Sequence, residues 1–302
     1  MGNTKLSVVM VTYNRLELLK ECMQCILNQS VKFNDIIVVN NCSTDGTKEY
    51  LETYNDKINL INLEENIGGS GGFYEGLKMS RANKNDWTLL IDDDAMLNTN
   101  YNKYILKAIN DYTDILAFSG KVVTDGKIDY AHRRYCNDRF KIKFSKKEDY
   151  ASTYFDCDLA SFCGLYIKNS IIDKIGLPEK GYFIHFDDTE YSFRIKKISK
   201  IRNVNAAWLD HKTVYANNIG TALWKLYYGK RNQLNMVKKH GCKRLEYKYM
   251  INYVIMILGC YVFYYVKRDN RYMEMKNMYM DALIDGEKGK LGKNEKYLPG
   301  KK

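Results

Sequence analysis

Short apolar runs alternating with polar, turn-forming stretches set the pattern of the first hundred residues. Leu6, Val8, Val9, Met10 and Val11 make a nearly continuous apolar run, as in a strand covered on both faces. After Thr12-Tyr13-Asn14-Arg15, the apolar positions Leu18, Leu19, Cys22 and Ile26 recur at three- and four-residue spacing, which predicts an amphipathic helix. Residues 36–39 predict a second buried strand, 40–47 a turn into a helix carrying Tyr50 and Leu51, and 58–63 a third strand. The Gly-rich stretch 66–72 leads to a helix around 73–81, and residues 87–91 form a fourth apolar run. Strand–helix alternation at this spacing predicts a mostly parallel, Rossmann-like α/β sheet with flanking helices. The loops 12–15, 40–45, 66–72 and 92–94 then converge on the rim where such sheets bind ligands.

From about residue 114 the pattern loosens. Residues 114–119 and 120–123 are strand-like, and the basic, aromatic segment 131–147 predicts a hairpin or a mobile loop. Residues 162–167 predict a strand, and 170–175 a short helix stopped by Gly176 and Pro178. Asp187 and Asp188 stand at the start of a helix expected over 191–198, and 205–211 reads as a strand ending at His211. Residues 220–302 look helical. Within them, 250–266 is a run of 17 almost wholly apolar and Tyr positions between Lys248 and Lys267-Arg268. It falls short of the ~20 residues of a spanning helix. Its tyrosines and basic flanks suit an interfacial or re-entrant segment, with a packed helix or a true span as alternatives.

Charge sharpens this division. Residues 1–224 carry 29 Lys/Arg and 29 Asp/Glu, whereas 225–302 carry 18 and 7, so the whole net charge of +11 lies in the last quarter. That asymmetry predicts an anionic partner, a membrane surface or nucleic acid. The neutral first 224 residues argue against nucleic acid. Met1 to Lys5 show no charged leader with an apolar run, so no signal peptide is expected. The 8 scattered cysteines fit a reducing cytosol. Cys22 and Cys25 form a C-x-x-C, but inside a helical pattern, where packing is the simpler reading.

Asp92, Asp93 and Asp94 close the fourth apolar run. A strand cannot bury three adjacent ionised acids without a cation or hydrogen-bond donors. A cleft with a divalent ion and a phosphate-bearing ligand would meet that need, and a solvated acidic turn is the alternative.

Together these segments resemble family 2 glycosyltransferases of the GT-A fold. The resemblance covers residues 6 to about 235. It rests on residues 9–15, residues 39–47, Asp92-Asp93-Asp94 as a D-x-D motif, and Asp187-Asp188 as the catalytic acid pair. Residues 65–73, Asp187 to Tyr191, His211 and the stretch Tyr227-Tyr228-Gly229-Lys230-Arg231-Asn232 look most like galactofuranosyltransferases and their rhamnosyltransferase relatives. The resemblance implies a catalytic domain over 1–219, with a nucleotide-sugar half over about 1–95 and an acceptor half over about 96–219. Residues 220–302 then form a basic, Tyr-rich helical module on a membrane surface. It implies Asp92, Asp94 and His211 as ligands of Mn²⁺ or Mg²⁺, and Asp188 as the base of an inverting displacement, with Asp187 orienting. Thr12, Tyr13, Asn14, Arg15, Asn40, Asn66, Gly68, Gly69 and Asp93 are expected at the donor, and Trp87, His185, Tyr227, Tyr228 and Arg231 at the acceptor. Asn40 is a departure, since many members carry Asp there; its carbonyl can still accept from a uracil or thymine N–H. The expected activity is transfer of galactofuranose from its UDP form to a lipid-linked glycan precursor, by a peripheral enzyme on the cytoplasmic face of the cell membrane. Rhamnose transfer from dTDP-rhamnose is the alternative.

Overall fold

The computed structural model describes residues 4–212 and 222–299, so the expected boundary at 219/220 lies outside the described residues. The chain opens with β1 (Leu6–Thr12), α1 (Leu16–Leu27), β2 (Asp35–Asn40), α2 (Thr47–Glu52), β3 (Asn59–Asn62), α3 (Gly68–Ala82) and β4 (Trp87–Asp92). β1 pairs in parallel with β2, Val8 opposite Ile36, and with β4, Val11 opposite Asp92. All seven residues of β1 are buried because both faces of the sheet are covered. Val8 and Met10 point into a core shared with Leu19, Cys22 and Ile26 of α1, while Val9 and Val11 point into a second core with Phe73 and Leu77 of α3. Each fully buried aliphatic side chain contributes about 1.5–3 kcal/mol.

There follow β5 (Ala95–Leu97), α4 (Tyr101–Asp111), β6 (Ala117–Thr124), β7 (Lys127–Ile128), β8 (Arg133–Cys136), β9 (Ile142–Phe144), β10 (Tyr154–Cys157), β11 (Leu159–Ala160), β12 (Leu165–Lys168), α5 (Ile172–Ile175), α6 (Asp187–Lys196) and β13 (Ile201–His211). The main sheet runs β10-β13-β6-β12-β4-β1-β2-β3, with β12 antiparallel to both its neighbours. The 131–147 segment takes the hairpin option: β8 and β9 pair antiparallel, and β11 joins them in a small three-stranded sheet.

Two elements start earlier than the sequence pattern suggests. α3 begins at Gly68, so residues 68–72 are its first turns and not a free loop. Gly72 and Gly76 are there for close approach: a Cβ on Gly72 would lie 2.6 Å from Val11 Cγ1, and one on Gly76 would collide with Val9. α6 begins at Asp187 itself, which puts the acid pair in the first helical turn.

The chain divides into two compact units: residues 4–136, 142–180 and 188–212 in one, and 137–141, 181–187 and 222–299 in the other. The second unit contains α7 (Leu223–His240), α8 (Lys243–Lys267) and α9 (Asn270–Lys288). Its core gathers Phe183, Tyr227, Tyr228, Met278, Tyr279 and Ala282.

Candidate active site

Hydrogen bonds between neighbouring loops build the rim at the carboxyl ends of β1 to β4. Asn14, in the left-handed region at φ 51°, accepts from Thr44 N at 2.7 Å, and its own N–H donates to Ser43 Oγ at 3.0 Å. Asn41 Nδ2 donates to Asn66 Oδ1 at 3.0 Å, and the same oxygen accepts from Gly68 N at 2.8 Å. Asn40 accepts from Ser43 N at 3.0 Å and donates to Asn62 Oδ1 at 2.9 Å, so both ends of its buried amide shape the turn. Tyr13 is 40% exposed on this rim, and Gly69 faces open space.

Asp92 ends β4, and Asp93 and Asp94 turn back beneath the rim. Asp93 accepts from Thr12 Oγ1 at 2.7 Å and pairs with Arg15 Nη1 at 3.2 Å; the same nitrogen reaches Asp94 Oδ2 at 2.6 Å. His211, at the end of β13, places Nε2 3.4 Å from Asp94 Oδ1. Burial, and then the neighbouring Asp94 and Asp93, push the Asp92 carboxyl up to about 8. Burial pushes Asp93 up to about 6 against the pull of Arg15 and Thr12. Asp94 is also penalised by burial, yet His211 and Arg15 hold it below its ordinary value. Burial would lower His211, but the Asp94 carboxylate raises it.

A second imidazole completes the cluster. Ligand atoms of Asp129, His132 and His211 lie within 4.8 Å of one another, and the two His rings are 4.9 Å apart, edge to face. His132 Nδ1 lies 2.7 Å from Ser161 Oγ, and Nε2 lies 3.5 Å from Asp129 Oδ2. Neither Asp129 nor His132 stands out in the sequence, because the acid lies just before a basic, aromatic stretch and the imidazole inside it.

The donor set suits a divalent ion. Asp94 Oδ1 and His211 Nδ1 are buried without a hydrogen-bond partner. Carboxylate crowding of the kind around Asp92 is relieved when a cation enters, which reverses the local pKa logic. Carboxylate oxygens and imidazole nitrogens are both ordinary ligands of divalent ions.

Asp188, in the first turn of α6, is paired through Oδ2 with Arg134 Nη2 at 2.8 Å and accepts from Thr189 Oγ1 at 2.8 Å. Asp187 stands beside it as the first residue of that helix. In the second unit, the turn that leads to Asp187 carries Phe183, His185 and Phe186 at positive φ. Such backbone persists only when its surroundings over-determine it. Asn232 Nδ2 donates to the carbonyls of Tyr182, Ile184 and His185, and Arg231 donates to those of Gly181, Tyr182 and Gly292.

That geometry corrects four of the expected acceptor contacts. Arg231 is 1% exposed, and its guanidinium is committed to backbone carbonyls, so it has no face for a diphosphate. Tyr227 donates to Asp285 Oδ2 at 2.6 Å and stacks on Tyr297, while Tyr228 stacks on Phe183 and accepts from Asn294 N at 2.9 Å. Both rings are fully buried core residues. Trp87 is buried at the amino end of β4, where its backbone bonds to Lys5 O. The five residues from there to Asp92 span about 17 Å of strand, so it lies at the wrong end for the site. His185 remains exposed.

The fold has counterparts among known proteins. Residues 7–176 match the family described as Glycosyl transferase family 2, more than half of the chain, and the chain belongs to that family. The galactofuranosyltransferase GlfT1 of Mycolicibacterium smegmatis is 26% identical over 195 residues, covering 62% of this chain and 64% of that protein. The chain spans less than two thirds of the first two curated relatives it matches, 64% and 63% of their lengths. Among solved structures, S. aureus TarS 1-349 in complex with UDP-GlcNAc superposes with a TM-score of 0.57 at 16% identity, over 94% of this chain and 81% of that one. GalNAc-T7 with UDP, GalNAc and Mn2+ gives a TM-score of 0.64 at 15% identity, over 92% of this chain and 55% of that one. At such identities these structures establish the shared GT-A fold: a mixed, mostly parallel sheet with flanking helices and a helical C-terminal region.

Proposed function

We propose that this chain is a metal-dependent, inverting glycosyltransferase that moves a sugar from a uridine diphosphate donor to a glycan acceptor at a membrane surface. The observation that carries this reading is the Asp94 carboxylate, shared between Arg15 and His211 at the end of β4. Asp92, Asp94 and His211 would hold Mn²⁺ or Mg²⁺, with Asp129 and His132 as adjoining ligands. The ion would supply charge neutralisation for the leaving diphosphate.

The chain's own residues account for the rest. Tyr13 lies on the rim where the nucleotide would meet it, and the amides of Asn40 and Asn41 hold the turn. Asp93, fixed by Thr12 and Arg15, faces the donor sugar from inside. Asp188 accepts the proton of the attacking hydroxyl, and Arg134 keeps its carboxylate aimed. Asp187 and His185 flank the acceptor. No covalent nucleophile is needed for a single displacement with inversion.

Galactofuranose is the sugar we favour, supported by the similarity to GlfT1 and by residues 65–73 and 187–191. The exposed apolar face of α8 and the basic C-terminal quarter support a lipid-linked acceptor and a peripheral position on the cytoplasmic face of the membrane. The test offers UDP-galactofuranose, UDP-galactopyranose and dTDP-rhamnose to the purified chain with Mn²⁺ and a lipid-linked glycan. Turnover with UDP-galactofuranose that stops on chelation is expected. Preference for dTDP-rhamnose would replace the donor, and turnover unaffected by chelation would remove the metal.

A further inference from the structure

Two basic surfaces in the second unit meet beside an apolar one. The turn 137–141 is braced by Asn137 Oδ1, which accepts from Arg139 N at 3.1 Å and Lys141 N at 3.0 Å. Phe140 within it is 5% exposed and anchors the turn, leaving Arg139 and Lys141 outside. On α8, Arg244 and Lys248 stand one turn apart. Together these residues line a cleft of about 430 Å³ and an adjoining one of about 600 Å³, which share Arg139 and Lys248. Those are ordinary ligand-pocket sizes. Four cations face one carboxylate, Asp138, and none of the four side chains forms an ion pair among the described residues.

The stripe of α8 that carries Arg244 and Lys248 continues at helical spacing through Ile251, Ile255, Leu258, Val262 and Val266, each more than half exposed. A ligand that satisfies both features is anionic at one end and apolar at the other. Inorganic phosphate would leave the stripe in water, and so would a nucleic acid. We propose that the cleft formed by Arg139, Lys141, Arg244 and Lys248 binds the headgroup phosphate of an anionic phospholipid, with the α8 stripe seated among the acyl chains. This rests on the membrane-surface reading above and adds to it a defined phosphate site. From Lys248 to Val266 the helix runs about 27 Å. Lying in the bilayer interface, it keeps the cleft at headgroup depth at one end and Lys267-Arg268 at the other.

The test measures co-sedimentation of the full chain with phosphatidylcholine vesicles, with and without phosphatidylglycerol. Wild type is compared with the fourfold variant Arg139→Gln, Lys141→Gln, Arg244→Gln, Lys248→Gln. A control removes four exposed lysines of the first unit (Lys48→Gln, Lys57→Gln, Lys84→Gln, Lys103→Gln), giving the same change in net charge. Each cation near an anionic surface is worth about fivefold in partitioning. The cleft variant is therefore expected to lose more than about a hundredfold on phosphatidylglycerol vesicles, and the control less than about fivefold. Thermal melting and hydrolysis of the nucleotide sugar, expected unchanged in both, show that the variants are folded. Equal losses in cleft variant and control would reduce the effect to diffuse charge and overturn the site. So would wild-type affinity in the cleft variant, and the membrane reading would then survive on α8 alone. Wild type that ignores both vesicles would overturn both.

Discussion

At the end of β4 three carboxylates lie largely enclosed by the fold, whereas along α8 ten large apolar side chains, from Tyr247 to Val266, stand in water. Each region runs against the usual partition of polar and apolar groups, in opposite senses. Enclosed charge needs a compensating charge, and Arg15 and His211 supply part of it. Exposed apolar surface needs a cover, and the first compact unit, with its apolar side chains gathered into two internal cores, shows what α8 lacks. Both departures are costly in an isolated chain and cheap once a ligand is in place, so each marks where the chain expects company.

The two regions can be separated by substitution. The largest effect is expected from Asp188→Asn, which keeps the shape and one bond to Arg134 while removing the base. Turnover should fall by about 10²–10⁴-fold with donor binding nearly intact. Binding that collapses with turnover would make Asp188 a structural acid. Arg231→Ala should act on the fold instead. It strips donors from three carbonyls, for a loss of about 3 kcal/mol read as a lowered melting temperature. An unchanged melting temperature with raised acceptor KM would return Arg231 to the acceptor. Next in size, Ile255→Ser with Leu258→Ser should leave stability within about 0.5 kcal/mol while reducing vesicle binding. If melting drops sharply, the face is covered in the folded protein and the contrast fails.

The smallest effect concerns pH. Burial works against ionised Asp45, but the bonds from Thr47 and Leu16 together outweigh it and hold its carboxyl below the ordinary value of 3.8. A lowered folded value means a stabilising contribution present above the unfolded value and lost as pH falls through the folded one. Melting of Asp45→Ala should therefore be less sensitive to pH than wild type below about pH 4.

The parallel half of the sheet was legible because each β-strand there is an unbroken apolar run and each return helix has a clear stripe. The acidic triplet and His211 were legible because they end strands. His132 and Asp129 were not, since their approach to His211 depends on a pairing between distant segments that no local period announces. The misplaced residues share a different cause. Tyr and Arg in 227–231 have polar tips that suggest a ligand, but amphipathic side chains bury readily once those tips find partners. Here the partners are Asp285, Asn294 and the carbonyls of the turn before Asp187, all remote in sequence. The glycines of 68–72 misled in the other direction, as Gly usually marks a loop, whereas here they open a helix and Gly72 marks contact with β1.

That glycine seam sets a mechanical tolerance. α3 lies so close to β1 that its hydrogen-only positions at Gly72 and Gly76 fix the spacing between helix and strand. A methyl group at either would prise the helix outward, and a rigid helix moves as a lever. Its first turn, at Gly68 and Gly69 on the rim, would swing with it. Substitutions a full turn or more below the rim should thus register as a misplaced rim, with the fold otherwise intact and no residue of the acidic cluster touched.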